Sequence, residues 1–203
     1  MMQVSLRACG KMYLSKWVFK NLDVTFEAGN IHTVTGKNGS GKSTLMKIIA
    51  GYIRPSAGNV EWKLNDAPVH PDAVFTHLSM TAPYLELIEE FSLLEMIRFQ
   101  RYFKKFQKPW TDDEIAELAG LAESAAKPLK HFSSGMKQRV RIALSILSAS
   151  PLLLLDEPCS NLDEEGRLWY ASLLKDYGAS RTIIIASNHN KEEYPGCEHV
   201  IGL

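Results

Sequence analysis

Alternating apolar and polar positions open the chain and predict an antiparallel start. Residues 4–8 and 22–26 both alternate, on either side of a polar connection or hairpin at 11–20. A period of two is typical of a strand with one buried face. Further short strands are predicted at 30–35 and at 60–62. We interpret this opening as a β-meander rather than a βαβ start.

Uninterrupted apolar runs later in the chain predict buried central strands. Residues 152–155 are four consecutive leucines, and residues 182–186 read Thr-Ile-Ile-Ile-Ala. Strands that are covered on both faces of a parallel sheet lose their alternation. We also expect a buried strand at 73–79 and a short final strand at 200–203.

Helical spacing separates these strands. Residues 45–50 and 164–177 predict helices, as does the segment after residue 135, so the chain has the strand–helix order of an α/β fold. Between residues 83 and 130 the pattern is helical throughout: Ser92 with Glu95 forms a capping-box pattern, and an acidic run from Thr111 opens another helix. We predict one domain over residues 1–203, with a helical subdomain inserted at about 83–135.

Composition narrows the function classes. Lys and Arg number 23, as do Asp and Glu, so the net charge is zero and a nucleic-acid binder is disfavoured. The three cysteines, Cys9, Cys159 and Cys197, are widely spaced, which indicates reduced thiols rather than disulfides or a zinc site. The chain has no run near the ~20 apolar residues of a membrane span. Membrane association would therefore go through a partner or the surface.

Residues 36–44 read Gly-Lys-Asn-Gly-Ser-Gly-Lys-Ser-Thr and match the phosphate-binding loop, G-x-x-x-x-G-K-[ST]. The loop lies between a predicted strand and a predicted helix, as this motif requires. Free N–H groups at the helix N-terminus and the helix dipole favour a phosphate there. Lys42 supplies charge for the β- and γ-phosphates, and Ser43 can ligate Mg²⁺. The predicted nucleotide contacts in the loop are Gly36, Lys37, Asn38, Gly39, Ser40, Gly41, Lys42, Ser43 and Thr44.

Asp156 and Glu157 end the leucine strand, where open α/β sheets place their ligands. Asp156 can hold Mg²⁺ through water, and Glu157 can orient or deprotonate an attacking water. The alternative is an acidic pair that caps a helix. With Lys42 and Ser43, the two carboxylates provide the positioning and charge neutralisation that phosphoryl transfer needs. The sequence therefore predicts a Mg²⁺-dependent ATPase.

A second motif set gives the chain a family resemblance over about residues 3–203. Residues 132–139 read Phe-Ser-Ser-Gly-Met-Lys-Gln-Arg and resemble the signature motif of ABC-type ATPases, usually spelled L-S-G-G-Q. Residues 160–163 resemble the D-loop of that family and His189 its switch histidine. Tyr13 resembles the aromatic residue that stacks on adenine. The order of the motifs along the chain is also that of the family.

The resemblance implies a head-to-tail dimer with two ATP molecules between two such domains. Each ATP would contact the phosphate loop of one domain and the signature motif of the other. Ser133 and the Gly135 amide lie at the start of a predicted helix, which makes them a second anion site. The alternative role for Ser133 is an ordinary helix N-cap, and one hydroxyl can serve both purposes.

The chain departs from the family pattern at three places. The family glutamine before the helical insertion has no counterpart between residues 71 and 99, and Thr81 lies nearest its position. We therefore name Thr81 with Ser43 and Asp156 as a metal-shell residue. Ser134 and Met136 replace the usual Gly and Gln of the signature. The assignment of His189 depends on the alignment, and a shift of one residue would put Asn188 in its place.

The leading hypothesis is a subunit that binds and hydrolyses ATP to power a separate membrane transporter. It would lie in the cytoplasm at the inner face of the cell membrane, bound to a membrane subunit and to a second ABC ATPase domain, a copy or a relative. Residues 84, 85, 87 and 91 are the expected docking surface, although 87 and 91 fit a core stripe equally well. The alternative is a soluble or poorly hydrolysing nucleotide-binding module that regulates a partner. Length and charge disfavour the DNA-repair and ribosomal members of the family.

Overall fold

The computed structural model describes residues 1–188, 193, 197 and 199–203. Two compact units divide the chain: residues 1–80, 150–157 and 180–203 form the first, and residues 81–149 and 158–179 form the second. The strands are β1 (Met2–Tyr13), β2 (Lys16–Phe26), β3 (Ile31–Thr35), β4 (Ala57–Leu64), β5 (Ala67–Val69), β6 (Leu78–Thr81), β7 (Leu152–Asp156), β8 (Thr182–Ser187) and β9 (His199–Gly202). The helices are α1 (Lys42–Ile49), α2 (Leu93–Phe103), α3 (Asp112–Leu118), α4 (Ser134–Leu147) and α5 (Glu164–Tyr177).

The first sheet is antiparallel, with strand order β2-β1-β4-β5. Tight two-residue turns join β1 to β2 and β4 to β5. Leu14 and Ser15 have φ angles of 45° and 65° between β1 and β2, and Asn65 and Asp66 have 49° and 67° between β4 and β5. Two consecutive positive φ angles match the right-handed twist of a hairpin. The hairpin expected at 11–20 is confirmed, whereas β5 was not foreseen.

The second sheet is the site-bearing sheet, with strand order β6-β7-β8-β3-β9. β3 pairs in parallel with both β8 and β9, and β7 pairs in parallel with β8. Every residue of β7 and of β8 is buried, which explains why their sequences do not alternate. The expected α/β class with a parallel central sheet and an antiparallel β subdomain is confirmed.

Helix α1 packs within the first unit, where both sheets contribute to one apolar core. Its four large apolar residues have no more than 1% of their surface exposed. They are joined by inward-facing side chains from β1, β2, β4, β7 and β8. The core residues of α1 are Leu45, Met46, Ile48 and Ile49. This burial fixes the position of the loop that precedes α1.

The second unit contains α2, α3, α4 and α5, and local capping signals begin its helices. Ser92 and Glu95 form a complete capping box at α2, and Thr111 and Glu114 form another at α3. Trp169 on α5 donates its ring N–H to the carbonyl of residue 118 at 2.8 Å. Among the residues that the structure describes, no helix is both long enough and apolar enough to span a bilayer.

The strand expected at 73–79 is wrong over most of its length. Residues Pro71–His77 form a 3₁₀ helix, and extended structure starts only at Leu78. Pro71 has the fixed φ that suits the first helical position, and the His70 ring accepts a hydrogen bond from the Asp72 amide. These local start signals override the apolar content of the segment.

Candidate nucleotide-binding and catalytic site

The phosphate-binding loop connects β3 to α1 in a shape that only glycine permits at its last turn. Gly41 has φ = 108° and is the N-cap of α1, with no side chain capping the helix. A Cβ atom on Gly41 would lie 2.6 Å from Cγ1 of Val18 on β2. The first amides of α1 are therefore available to an anion, as the sequence predicts.

Lys42 holds its ammonium group inside the loop. The residue is only 4% exposed, although it is a lysine. Its Nζ donates to the carbonyls of Gly36 at 2.9 Å and Lys37 at 3.2 Å, and to Oδ1 of Asn188. The acceptors of this buried ammonium are all neutral oxygens, so none of them is a counter-ion that would compete with an anionic ligand.

Asn188 connects the lysine to the second carboxylate. Its Nδ2 donates to Oε1 of Glu157 at 2.8 Å, while its Oδ1 accepts from Lys42. The residue follows β8 directly. His189, which we expected in the switch role, lies outside the described residues. From the sequence alone, Asn188 is only the alternative to His189 for the switch position. Its position immediately after the strand is the sequence signal that points to it.

Asp156 is a buried carboxylate at the end of β7 and has no exposed surface. Neither of its oxygens is held in a hydrogen bond of good geometry. Burial is the main reason that the pKa of Asp156 is raised; the Glu157 charge adds to this, and the nearby Ser43 hydroxyl and Lys42 charge oppose it. An orphaned carboxylate beside a hydroxyl is a donor set that suits Mg²⁺.

Glu157 is held in an unusual backbone conformation. Its φ is 48°, in the left-handed region that glycine favours, and its amide donates to the Ala186 carbonyl at 2.9 Å. Such a conformation costs about 1 kcal/mol or more in a residue with a Cβ. The hydrogen bond to β8 and the following Pro158 fix the chain here. The strained backbone of Glu157 therefore helps to fix the direction of its side chain.

We expect Asp156→Asn to stabilise the protein in the absence of ligand. The substitution removes a buried charge that lacks hydrogen bonds of good geometry, and it changes the side-chain shape little. The gain is about 1–2 kcal/mol, or a rise in Tm of roughly 2–8 °C for a chain of this size. Thermal melting in EDTA measures it.

The matched control for this stability test is Asp66→Asn, at an exposed turn residue between β4 and β5. The control is expected to leave Tm unchanged. A lower Tm for Asp156→Asn than for the wild type would show that the carboxylate is stabilised by its surroundings, contrary to its orphaned state.

The signature residues lie in the second unit, at the start of α4. Ser133 is the exposed N-cap, and its Oγ accepts from the Met136 amide at 3.2 Å. A Cβ on Gly135 would lie 3.0 Å from the carbonyl oxygen of Asn161, so the signature and the D-loop are in close contact. Both border a cleft of about 780 Å³. The N-cap role is therefore present, and the anion role stays a prediction.

The two remaining candidates differ in accessibility. Tyr13, at the end of β1, is 49% exposed, and Nζ of Lys11 lies 5.1 Å from its ring centroid. Thr81 is fully buried, and its hydroxyl lies 2.9 Å from the Arg141 carbonyl and 2.7 Å from the Ser145 hydroxyl. The Thr81 hydroxyl is thus engaged with α4, and its metal role stays a prediction.

Comparison with known proteins agrees with these motifs. A family model described as ABC transporter matches residues 19–160. The cytochrome c biogenesis ATP-binding export protein CcmA of Rhodopseudomonas palustris is 31% identical over 178 residues, which cover 85% of this chain and 84% of the relative.

Solved structures share the fold at lower identity. The dimeric structure of MJ0796, a bacterial ABC transporter cassette, gives a TM-score of 0.82 at 22% identity, over 98% of this chain and 94% of that one. A dimeric post-hydrolysis structure of the same cassette, bound to ADP and Pi, gives 0.81 at 22% identity over the same shares.

Proposed function

Because the chain belongs to the ABC transporter family, we propose that it is the ATP-binding and ATP-hydrolysing subunit that powers a separate membrane transporter. One observation carries the proposal. The buried ammonium of Lys42, the orphaned carboxylate of Asp156 and the Asn188-bound carboxylate of Glu157 all lie at one end of the parallel sheet. This is the edge at which open α/β sheets bind ligands.

In the proposed reaction, ATP is the substrate and its triphosphate lies on the loop before α1. The first amides of α1 and the Lys42 ammonium bind the phosphate oxygens, with Lys42 exchanging its present acceptors for them. Ser43 and Asp156 would hold Mg²⁺, which when bound neutralises charge on the β- and γ-phosphates. Tyr13, half-exposed at the end of β1, would stack on the adenine.

Glu157 is proposed as the group that takes a proton from the attacking water. Its carboxylate oxygen is held by Asn188, and its strained backbone fixes the direction of the side chain. Positioning of this kind contributes as much as the proton transfer itself, because the water must approach in line with the leaving oxygen. Asn188 acts on Glu157 and is therefore a positioning residue.

The second half of the site would come from another ABC ATPase domain, arranged head to tail. Ser133 and the Gly135 amide at the start of α4 would meet the γ-phosphate bound by the partner. The dimeric MJ0796 cassette has the same fold, which supports this arrangement. The contact between Gly135 and Asn161 would transmit a shift of the signature to the D-loop.

We expect Ser133→Ala to weaken ATP-driven dimerisation about tenfold or more, because a phosphate contact is lost at the dimer interface. The loss is measured by light scattering with ATP in the Glu157→Gln background, in which hydrolysis is expected to be slow. The substitution also removes a helix cap, which costs about 1 kcal/mol of stability.

Ser92→Ala is the matched control for that cap effect. It removes the N-cap of α2 at the same energetic cost, but it lies outside the signature motif. The control is expected to dimerise normally. Equal dimerisation of Ser133→Ala and Ser92→Ala would mean that Ser133 is a cap alone.

We expect Asn188→Ala to lower kcat roughly 10–100-fold with little loss of ATP affinity, because Glu157 loses the donor that orients it. The paired variant His189→Ala separates the two candidates for the switch position. Steady-state kinetics measure kcat, and nucleotide titration measures affinity. A normal kcat for Asn188→Ala with a large loss for His189→Ala would reassign the role to the histidine.

The proposed membrane partner can be tested directly. The name of the CcmA relative describes an export protein, which supports a transport role for this chain. We place the chain at the inner face of the cell membrane, held there by a membrane subunit. Affinity purification from detergent-solubilised membranes is expected to recover an integral membrane protein. Recovery of ribosomes or DNA without any membrane protein would reject the proposal.

The exposure of the expected docking segment fits this role in part. Tyr84 and Leu85 are exposed, whereas Leu87 and Phe91 are half-buried, and the Phe91 ring packs edge-to-face on Phe99. The first two are therefore the better candidates for contact with the membrane subunit. The other two match the alternative of a core stripe.

One observation favours a second candidate function. The Thr81 hydroxyl is hydrogen-bonded within the second unit, so it is not free to replace the missing glutamine of the family. The chain would then bind ATP, hydrolyse it poorly and regulate a partner. Mg²⁺-dependent ATP turnover by the purified chain decides between the two, since a rate no higher than that of Glu157→Gln would favour the regulatory module.

A further inference from the structure

The end of α2 and the segment after it carry an unusual concentration of aromatic and basic residues. Residues 98–110 include five Lys or Arg and five aromatic residues, with no acidic residue. The chain as a whole has zero net charge, so this charge is strongly localised. The five basic residues are Arg98, Arg101, Lys104, Lys105 and Lys108, and the five aromatic residues are Phe99, Tyr102, Phe103, Phe106 and Trp110.

The C-terminal end of α2 exposes aromatic side chains where a solvated helix would be polar. Leu93, Met96 and Ile97 are buried. Tyr102, on the opposite face, is 87% exposed, and Phe103, the last residue of the helix, is 69% exposed. Exposed aromatic residues at adjacent positions of one helix end are uncommon in soluble proteins and mark an interaction site.

Contacts between aromatic rings hold Phe99 and Phe103 in place. Phe99 packs edge-to-face on Phe91 at 5.7 Å and on Phe103 at 5.0 Å between ring centroids. The Phe103 ring is therefore fixed by its neighbour while most of its surface remains accessible. A preorganised apolar surface loses little conformational entropy when it binds.

A basic cleft of about 450 Å³ continues from the last turn of α2. Arg101, Lys105 and Lys108 line it, and Phe106 is part of its wall. Nζ of Lys108 lies 5.6 Å from the Trp110 ring centroid and 5.4 Å from that of Tyr177. The rings thus hold the ammonium group near the cleft without neutralising it.

Pairing reduces the charge of this segment but does not cancel it. Arg98 and Arg101 both bind the carboxylate of Asp112, at 2.8 Å and 2.9 Å, so two cations share one anion. Lys104 is half-buried, and burial lowers its pKa, so its charge contributes little to the exposed surface. Lys105 and Lys108 are exposed. The surface remains cationic at neutral pH.

We propose that this surface, formed by Tyr102, Phe103, Lys105 and Lys108, binds the headgroup region of an anionic lipid membrane. Aromatic rings favour the interface between headgroups and acyl chains, and lysines favour anionic lipid phosphates. The charge complementarity selects a lipid surface over a purely apolar protein groove. The inference goes beyond the proposed ATPase function and does not rest on it.

Co-sedimentation of the purified chain with protein-free vesicles tests the proposal. We expect binding to phosphatidylcholine vesicles that contain about 30 mol% phosphatidylglycerol, and little binding to phosphatidylcholine alone. Raising the salt to about 0.5 M is expected to release most of the bound protein. Equal binding to both vesicle types, or no binding to either, would overturn the proposal.

Two double variants divide the charge from the aromatic contribution. Lys105→Glu with Lys108→Glu is expected to lower the partition coefficient about 25-fold or more, since each lysine near an anionic surface contributes about fivefold. Tyr102→Ser with Phe103→Ser is expected to lower it at least about tenfold. Retained binding by both double variants would show that the membrane contacts the protein elsewhere.

The chain supplies matched controls for both changes. Leu168 on α5 is 68% exposed, so Leu168→Ser removes a similarly exposed apolar side chain. Lys63→Glu with Lys127→Glu reverses two exposed charges outside the surface. Both controls are expected to bind like the wild type. A loss of binding by these controls equal to that of the test variants would indicate nonspecific attraction and overturn the assignment.

Discussion

Replacing Glu157 by Gln is expected to lower ATP turnover about 10²–10⁴-fold while ATP binding persists. The amide cannot accept the proton of the attacking water. It keeps the size of the glutamate, and its carbonyl oxygen can still accept the hydrogen bond from Asn188. Lys42 and Asp156 are unchanged, so the triphosphate remains bound. Phosphate release measures turnover, and light scattering with ATP measures the accumulated dimer.

The control for this variant is Glu164→Gln, at an exposed carboxylate in the first turn of α5. It removes the same charge from the chain but lies outside the proposed catalytic groups, and we expect wild-type turnover from it. If Glu157→Gln hydrolyses ATP as fast as the wild type, Glu157 is not the catalytic base. If the variant no longer binds ATP, the glutamate has a structural role that we have not assigned.

Replacing Lys42 by Ala is expected to weaken ATP binding about 10–100-fold. The buried ammonium is the charged hydrogen-bond donor closest to the expected phosphates, and such a bond contributes about 1.5–3 kcal/mol. Its loss also leaves the Gly36 and Lys37 carbonyls without their present donor. Calorimetric titration with ATP and Mg²⁺ measures the change.

Lys63→Ala is the matched control, because it removes an exposed lysine from β4 within the same unit. We expect it to bind ATP normally. An unchanged affinity for Lys42→Ala would mean that the loop amides alone hold the triphosphate. The position of Lys42 at the centre of the loop would then have to be explained by folding stability.

The sequence predicts best those strands and helix ends that are determined by neighbouring residues in the chain. The leucine run of β7 and the isoleucine run of β8 have no polar face, so only a central strand accommodates them. The capping box at Ser92 fixes the start of α2. The glycine pattern of residues 36–41 permits the left-handed backbone that the loop adopts at Gly39 and Gly41, where φ is 83° and 108°.

The features that sequence could not supply arise from contacts between distant segments. The left-handed φ of Glu157 depends on its hydrogen bond to Ala186 across the sheet. The link from Lys42 through Asn188 to Glu157 joins three segments that are far apart in the chain. The 3₁₀ helix at Pro71–His77 differs from the expected strand because Pro71 and the His70 cap start a helical turn despite the apolar content of the segment.

The pairing of β3 with β8 and β9 has a consequence for how the protein is made. The strand that leads into the phosphate loop is synthesised long before its two neighbours in the sheet, which follow at residues 182–187 and 199–202. Contacts of such long sequence separation form late in folding. During translation the ribosome must therefore deliver the chain through residue 202 before β3 can acquire both of its partners. A nascent chain arrested before residue 182 would carry the loop sequence without the sheet that shapes it.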